Sequence, residues 1–191
     1  MVKKTKNEPK TSDFKGKYLT NFIKLQVMKY FRYTKGYTFV CSECINHSDI
    51  SAINNTNLVE VEIKISKSDF LAEFKGETYN KEYKHKVLQG LVKPRKSYIV
   101  PNYYYFCVPK ELAQFVRDYL KEHGYDKYGV LVCDEYRQYN QRSHIFSAKS
   151  AKKIHNTSPS DTTWLTIGKR VQSEMIGLYE KVKLKNKTRG G

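Results

Sequence analysis

The stretch LVEVEIKISKSDF, residues 58–70, alternates aliphatic and charged side chains and then changes to a pattern typical of a helix start. Side chains at every second position of an extended chain point to the same side. The stretch therefore has an aliphatic face and a charged face, formed respectively by Val59, Val61, Ile63, Ile65 and by Glu60, Glu62, Lys64. We expect a strand with one face on a core, followed by a helix that Ser66 or Ser68 caps.

The charged face of this strand has two interpretations. Alternation alone predicts that it lies in water, as the polar face of a strand usually does. However, Asp49 stands in the preceding predicted strand, and carboxylates from two neighbouring strands can hold one hard divalent cation such as Mg²⁺. Lys64 follows Glu62 by two positions, so it can orient or deprotonate an attacking water and neutralise charge that develops on a phosphodiester. Asp49, Glu62 and Lys64 are therefore candidate catalytic residues.

Hydrophobic periodicity on either side of this strand predicts an α/β order of elements. The predicted helices span residues 18–33, 66–77, 80–92, 109–124 and 161–184, and Asp161 or Thr162 caps the last of them. The predicted strands span residues 36–45, 49–53, 58–66, 102–109 and 128–135, and 143–149 is a candidate for a last short strand. We expect one α/β domain, residues 18–181, in which helices flank a mixed four- to five-stranded central sheet. Residues 1–17 and 182–191 are expected to form a flexible basic arm and a basic tail.

The charge of the chain indicates its class of partner. The 191 residues include 35 Lys and Arg against 19 Asp and Glu, a net charge of +16. Such an excess indicates nucleic acid or an acidic membrane surface, or else a merely solubilising surface. No run approaches the roughly 20 apolar residues of a membrane-spanning helix, and the lysine-rich N-terminus lacks the apolar stretch of a signal peptide. We expect a nucleic-acid partner, no membrane, and a cytoplasmic location.

Four cysteines raise the question of a zinc site, because Cys41 and Cys44 have the spacing of a zinc half-site. The sequence has no second pair of this kind, and residues three apart in a strand point to opposite faces. Cys107 and Cys133 lie in apolar runs typical of core strands. We expect reduced thiols rather than a structural zinc site.

The segment SDISAI followed by VEVEIKISKSDF resembles the PD-(D/E)XK nuclease superfamily, whose motif is an Asp, a variable gap, then Asp or Glu, any residue and Lys. Asp49, Glu62 and Lys64 take those places. The wider pattern resembles small bacterial and phage-associated members linked to DNA repair and processing. There an acid lies on the strand before the motif Asp, as Glu43 does, and segments like SKSDF, KHKVL and PNYYYFCVP follow. The resemblance covers roughly residues 36–135.

This resemblance implies a restriction-endonuclease-like fold that hydrolyses DNA with Mg²⁺ or Mn²⁺. By position, Asp49 and Glu62 would coordinate the metal, the backbone carbonyl of Ile63 would add a ligand, and Lys64 would handle the attacking water. The implied setting is DNA repair, recombination or phage genome processing, in the cytoplasm of a bacterial or phage-infected cell. Cutting both strands of DNA needs two active sites, which suggests a homodimer.

Three features near the motif can each be interpreted in more than one way. Many superfamily members carry a further acid on the first helix, whereas residues 14–42 contain no Asp or Glu, so that role is absent or passes to Glu43. Glu60 either helps with a second metal or forms the solvated end of the charged face. His85 either shuttles a proton and contacts phosphate or is a surface or packing residue.

A dense basic stretch follows the motif. Its members are candidates for tracking a phosphate backbone, or they form a solvated helix face: Lys67, Lys75, Lys81, Lys84, Lys86, Arg95 and Lys96. Tyr103, Tyr104 and Tyr105 are expected to pack in a strand rather than to stack on bases. The alternative to a nuclease is a non-catalytic nucleic-acid-binding module that retains the fold. A basic RNA-associated protein of translation would also explain the charge, but not the convergence of acids and lysine on one strand pair.

Overall fold

A six-stranded mixed sheet organises the protein, and its strands lie side by side in the order of the chain. In the computed structural model, which describes residues 16–75, 79–135 and 143–187, the strands are β1 (Phe39–Ser42), β2 (Ile50–Ile53), β3 (Leu58–Ile63), β4 (Tyr103–Pro109), β5 (Gly129–Cys133) and β6 (Ile145–Lys149). β1, β2 and β3 run antiparallel, whereas β3, β4 and β5 run parallel. β6 is antiparallel to β5.

Helices cover both faces of this sheet. They are α1 (Lys17–Lys29), α2 (Lys67–Ala72), α3 (Tyr79–Gln89), α4 (Ala113–Glu122) and α5 (Asp161–Lys187), and α1 continues into a π-helical turn, Tyr30–Thr34. The apolar stripe of α1 packs on one face of the sheet through Ile23 and Val27. The second group, α2, α3 and α4, packs on the other face through Phe70, Leu88 and Leu120. The layers are therefore helix, sheet and helix, as in many α/β proteins.

The predicted α/β class is confirmed, but the sheet has six strands rather than four to five. The sixth strand is β6, which lies within the candidate last strand at residues 143–149; it is a short edge strand in which only Ile145 is fully buried, so its apolar signal is weak. α3 ends at Gln89 rather than near residue 92, because Gly90 takes a φ of 80° that terminates the helix. Ser66 caps α2 as predicted, whereas Ser160, not Asp161 or Thr162, caps α5.

Most of the predicted basic arm, residues 1–15, lies outside the described residues. α5 extends to Lys187, and residues 188–191 of the predicted tail also lie outside them. None of the helices in the described ranges is long and apolar enough to cross a membrane.

Gly129, at the start of β5, pairs with Tyr105 of β4 and has no room for a side chain. A methyl group there would overlap the Tyr105 ring and lie 2.8 Å from the backbone nitrogen of Ala151. We expect Gly129→Ala to lower the free energy of unfolding by about 1–3 kcal/mol through overpacking. Urea denaturation measures this change.

The matched control is Gly168→Ala in α5, where a methyl group meets open space. It should raise the free energy of unfolding by up to about 1 kcal/mol, because Ala favours a helix interior over Gly. Equal effects of the two substitutions would contradict this assignment of the strand contact.

Candidate active site

The charged face of β3 is buried, so of its two interpretations the one that places it in water is wrong. Glu60 is completely buried. The side chains of Glu62 and Lys64 are only 13% and 8% exposed. The reason is tertiary: β3 lies inside the sheet, and side chains from α3 and from the end of α2 contact this face. Charges buried in this way need partners, and the partners define the site.

Asp49 lies at the start of β2, directly before Ile50, which pairs with Val61 of β3. One Asp49 oxygen, Oδ2, accepts a hydrogen bond of 2.9 Å from the backbone N–H of Ile63. The two acids of the predicted motif lie near each other, since Asp49 bonds to the backbone of Ile63, the residue that follows Glu62. Burial, aided by Glu73 and Asp49, raises the pKa of Glu62 despite the opposing effect of Lys84.

Two lysines contact the Glu62 carboxylate. Lys64 Nζ lies 3.7 Å from Glu62 Oε2, and Lys84 Nζ of α3 donates a 3.2 Å hydrogen bond to Glu62 Oε1. Burial lowers the pKa of each lysine, but the Glu62 and Glu73 carboxylates outweigh burial, so both pKa values are raised. Lys64 therefore keeps its proton near neutral pH. It is suited to orienting water and neutralising charge rather than to removing a proton.

Glu73 is a residue of the site that the sequence analysis missed. It follows α2, is 2% exposed, and accepts a 2.7 Å hydrogen bond from Lys64 and a short one from Lys84. Burial raises the pKa of Glu73, but His85 and these lysines outweigh it and hold the pKa well below its usual range. Its position three residues after Phe70 was the available signal, because that spacing places it on the buried face of the helix.

His85 is buried among aromatic rings, which agrees with the packing interpretation. Its ring stacks on Phe74 with a centroid distance of 4.6 Å, and Nδ1 lies 2.8 Å from the Tyr128 hydroxyl. Nε2 lies 3.6 Å from Glu73. Burial lowers the pKa of His85, so the ring is neutral near pH 7. The ring lies beside the Glu73 carboxylate and has little access to solvent.

Glu43 lies just past the end of β1 and near Asp49, but its side chain is 61% exposed. Both acids contact Lys24 of α1, whose Nζ is 2.8 Å from Glu43 Oε1 and 3.1 Å from Asp49 Oδ1. The first helix therefore contributes a lysine to this site, and the sequence analysis did not single it out. Burial lowers the pKa of Lys24, but its hydrogen bond to Glu43 and the charge of Asp49 outweigh burial and raise it.

The predicted basic stretch divides into two groups. Five of its members are exposed and remain candidates for phosphate contacts: Lys67, Lys75, Lys86, Arg95 and Lys96. Lys84 is 12% exposed and belongs to the Glu62 and Glu73 cluster instead, so its assignment to an open helix face is wrong. Lys81 is 39% exposed and lies 3.6 Å from Glu73, at the edge of the same cluster.

The cysteines are all free thiols. Cys41 lies in β1, but Cys44 lies beyond its end, so the expectation that their side chains point to opposite faces is wrong. Interaction between the two thiols raises the pKa of Cys41 and lowers that of Cys44, and Cys44 Sγ donates a 3.9 Å hydrogen bond to the backbone carbonyl of Thr166. Cys107 and Cys133 are buried strand residues, as predicted. Tyr104 is fully buried, which agrees with packing rather than base stacking.

Comparison with known proteins supports the fold. No family model matches the chain, and no curated protein matches it. A solved structure, the SPO1766 protein of unknown function from Silicibacter pomeroyi, is similar with a TM-score of 0.53 and 11% identity. The alignment covers 94% of this chain and 97% of that one. At this identity the likeness shows a shared fold alone.

Glu60 lies beneath the site and is not the solvated end of the charged face. Its Oε1 accepts a 2.6 Å hydrogen bond from Asn46, whereas Oε2 has no hydrogen-bond partner among the described residues. Burial raises the pKa of Glu60 to about 8, against 4.5 for an ordinary Glu. Between these values the folded protein holds a proton that the unfolded chain releases. Glu60 therefore makes the free energy of unfolding fall as pH rises, by up to about 1.4 kcal/mol per pH unit.

Glu60→Gln should remove this pH dependence, because the amide carries no charge and keeps an acceptor for Asn46. We expect the variant to gain stability relative to the wild type as pH rises from 5.5 to 8, in urea denaturation without divalent metal. Glu82→Gln, an exposed site in α3, is the control and should run parallel to the wild type. Parallel profiles for Glu60→Gln as well would rule out the raised pKa.

Proposed function

We propose that this protein is a divalent-metal-dependent DNA endonuclease of the PD-(D/E)XK superfamily, with a restriction-endonuclease-like fold. One observation carries the proposal: Asp49, Glu62 and Lys64 converge at neighbouring strands, with Asp49 bonded to the backbone of Ile63 and Lys64 3.7 Å from Glu62. The order of elements also supports it, since a helix, three antiparallel strands, helices and a parallel strand follow one another.

The residues present fit Mg²⁺ or Mn²⁺. Asp49, Glu62 and the backbone carbonyl of Ile63 would hold the ion. Within the described ranges no group of three or more acidic, histidine or cysteine side chains is placed to hold a metal. Mg²⁺ commonly takes one or two carboxylates and fills its remaining positions with water and substrate phosphate. A cation would also relieve the repulsion that contributes to the raised pKa of Glu62.

When bound, the ion would polarise the phosphodiester and assist formation of the attacking oxygen nucleophile. The protonated Lys64 would orient the attacking water and neutralise charge on the phosphoryl oxygens. Lys84 would add a second positive charge beside Glu62. Glu73 would hold both ammonium groups in place, since it bonds directly to each of them.

The net charge of +16 and the exposed basic residues support DNA as the partner. We assign the activity to DNA repair, recombination or phage genome processing in the cytoplasm of a bacterial or phage-infected cell. Two active sites are needed to cut both strands, so a homodimer is part of the proposal.

A second candidate function is a non-catalytic DNA-binding module. It is favoured by the lysines that already pair with the acids: Lys24 lies 3.1 Å from Asp49, and Lys84 lies 3.2 Å from Glu62. A site neutralised in this way needs no metal. Calorimetric titration with Mn²⁺ separates the two functions, because a nuclease should show a stoichiometric site that is lost in Asp49→Asn.

The decisive experiment is a cleavage panel at low salt with Mg²⁺ or Mn²⁺. Single-stranded, duplex, nicked, flapped and branched DNA are incubated with the wild type and with Asp49→Asn. We expect at least one structure to be cut by the wild type alone. If every substrate stays intact, or if the variant cuts equally well, the nuclease proposal fails.

A further inference from the structure

A cavity of about 370 Å³ opens directly beside the candidate active site. Its walls come from the β1–β2 loop, from α3 and from the middle of the segment between α3 and β4. The lining side chains include Asn46, His47, Tyr83, Lys84, Arg95 and Tyr98. Lys84 belongs to both places, since it lines the cavity and also bonds to Glu62. The Lys84 side chain therefore connects the cavity to the Glu62 carboxylate.

Asn46 ties the two walls of this cavity together. Its amide nitrogen donates to Glu60 and to the backbone carbonyl of Ile99, at 2.6 Å each, and its amide oxygen accepts from the Ile99 N–H at 3.3 Å. Asn46 and His47 have φ values of 48° and 59°, a left-handed conformation that L residues rarely adopt. Such conformations persist where the surroundings impose them, often at ligand-binding positions. The cavity is thus built into the fold before any ligand binds.

The lining combines positive charge with aromatic surface. The Arg95 guanidinium lies over the Tyr83 ring at 4.5 Å, and the Tyr83 and Tyr98 rings meet edge to face at 5.8 Å. The buried Tyr98 hydroxyl has no hydrogen-bond partner among the described residues. Among the described residues that line the cavity, none is acidic. Aromatic rings bind nucleobases by stacking, and arginine and lysine bind phosphate.

We propose that this cavity binds one unstacked nucleotide of the DNA strand being cut, with its base against Tyr83 and Tyr98 and its phosphate on Arg95. This inference rests on the proposed nuclease function, because it places that nucleotide next to the scissile phosphate. A nucleotide in the cavity has left the base stack of a duplex. The preferred substrate class is therefore DNA with unpaired nucleotides at the cut, such as a single strand or a flap, rather than intact duplex.

The test measures binding without cleavage. Deoxyadenosine 5′-monophosphate is titrated calorimetrically into the full-length protein in EDTA, beside deoxyadenosine and inorganic phosphate as separate probes. Arg95→Gln removes the charge that faces the cavity. Lys93→Gln is the matched control, since it removes one charge from the same exposed segment without lining the cavity.

We expect one mononucleotide per chain, tighter binding of the mononucleotide than of either fragment, and a loss of about tenfold in Arg95→Gln but not in Lys93→Gln. Three results would overturn the proposal: no saturable binding of the mononucleotide, equal loss in both variants, or phosphate alone binding as tightly as the mononucleotide. Since EDTA removes the metal, the outcome is independent of nuclease activity. A protein that binds the mononucleotide but cuts no DNA would retain this site and lose the nuclease proposal.

Discussion

Asp49→Asn is expected to reduce metal-dependent DNA cleavage by at least about 10²–10³-fold while the protein stays folded. The amide keeps an oxygen that can accept the hydrogen bond of the Ile63 N–H, so the contact between β2 and β3 is preserved. What is lost is the negative charge that would attract a divalent cation beside Glu62. Lys24 keeps Glu43 as its partner, at 2.8 Å, so no buried charge is left alone.

The measurement is single-turnover cleavage of the substrate found in the panel, with Mn²⁺ titration in parallel. Asp118→Asn is the matched control, because it makes the same chemical change at an exposed position of α4. It should leave cleavage and metal binding at wild-type values. Metal binding that is retained in Asp49→Asn would show that other residues hold the ion.

Glu73→Ala is expected to lower the free energy of unfolding by about 3–5 kcal/mol, because it removes a buried carboxylate that both Lys64 and Lys84 contact and leaves the two ammonium groups to share Glu62. Lys64 and Lys84 are 8% and 12% exposed, so neither can turn freely to water. The stabilising contribution of Glu73 also depends on pH. The pKa of Glu73 is lowered on folding, so its stabilising contribution is present above the unfolded pKa of about 4.5 and is lost as pH falls below that value.

Urea denaturation at pH 7 and at pH 4 tests this prediction. Glu82→Ala provides the control, since Glu82 pairs with Lys86 at an exposed position of α3 and should cost less than about 1 kcal/mol. Glu73→Gln preserves the shape of the side chain and separates charge from packing. A cost for Glu73→Ala no larger than that for Glu82→Ala would show that the lysines find water or other partners.

Local pattern was sufficient for the elements and for part of the site. The alternation in residues 58–65 predicts β3, and the helical periodicities predict α1, α4 and α5 to within a few residues. Asp49 lies close to Glu62 because β2 and β3 form a tight hairpin, and a hairpin is also determined by local sequence. β6 was harder to predict, because a short edge strand buries few side chains and so has a weak apolar pattern.

The environment of the site could not be predicted from local pattern. Glu60 and Lys64 have the same alternation whether their face meets water or another layer, and only the packing of α2 and α3 decides this. Lys24 and Glu73 come from elements that the candidate motif does not include. Their contribution depends on how α1 and α2 dock on the sheet. Likewise, the Asn46 contacts that shape the cavity join residues 53 positions apart, a separation that no periodicity reports.

The order of the strands has a consequence for how the protein acquires a competent site during synthesis. β2 and β3 are joined by a turn at residues 54–57, so Asp49 and Glu62 come together in a hairpin that closes quickly. β4 must then pair in parallel with β3 across about forty intervening residues, which is the slower kind of contact to form. We therefore expect a nascent chain whose β4 is still inside the ribosome to bring Asp49 and Glu62 together before the rest of the sheet covers the site around them.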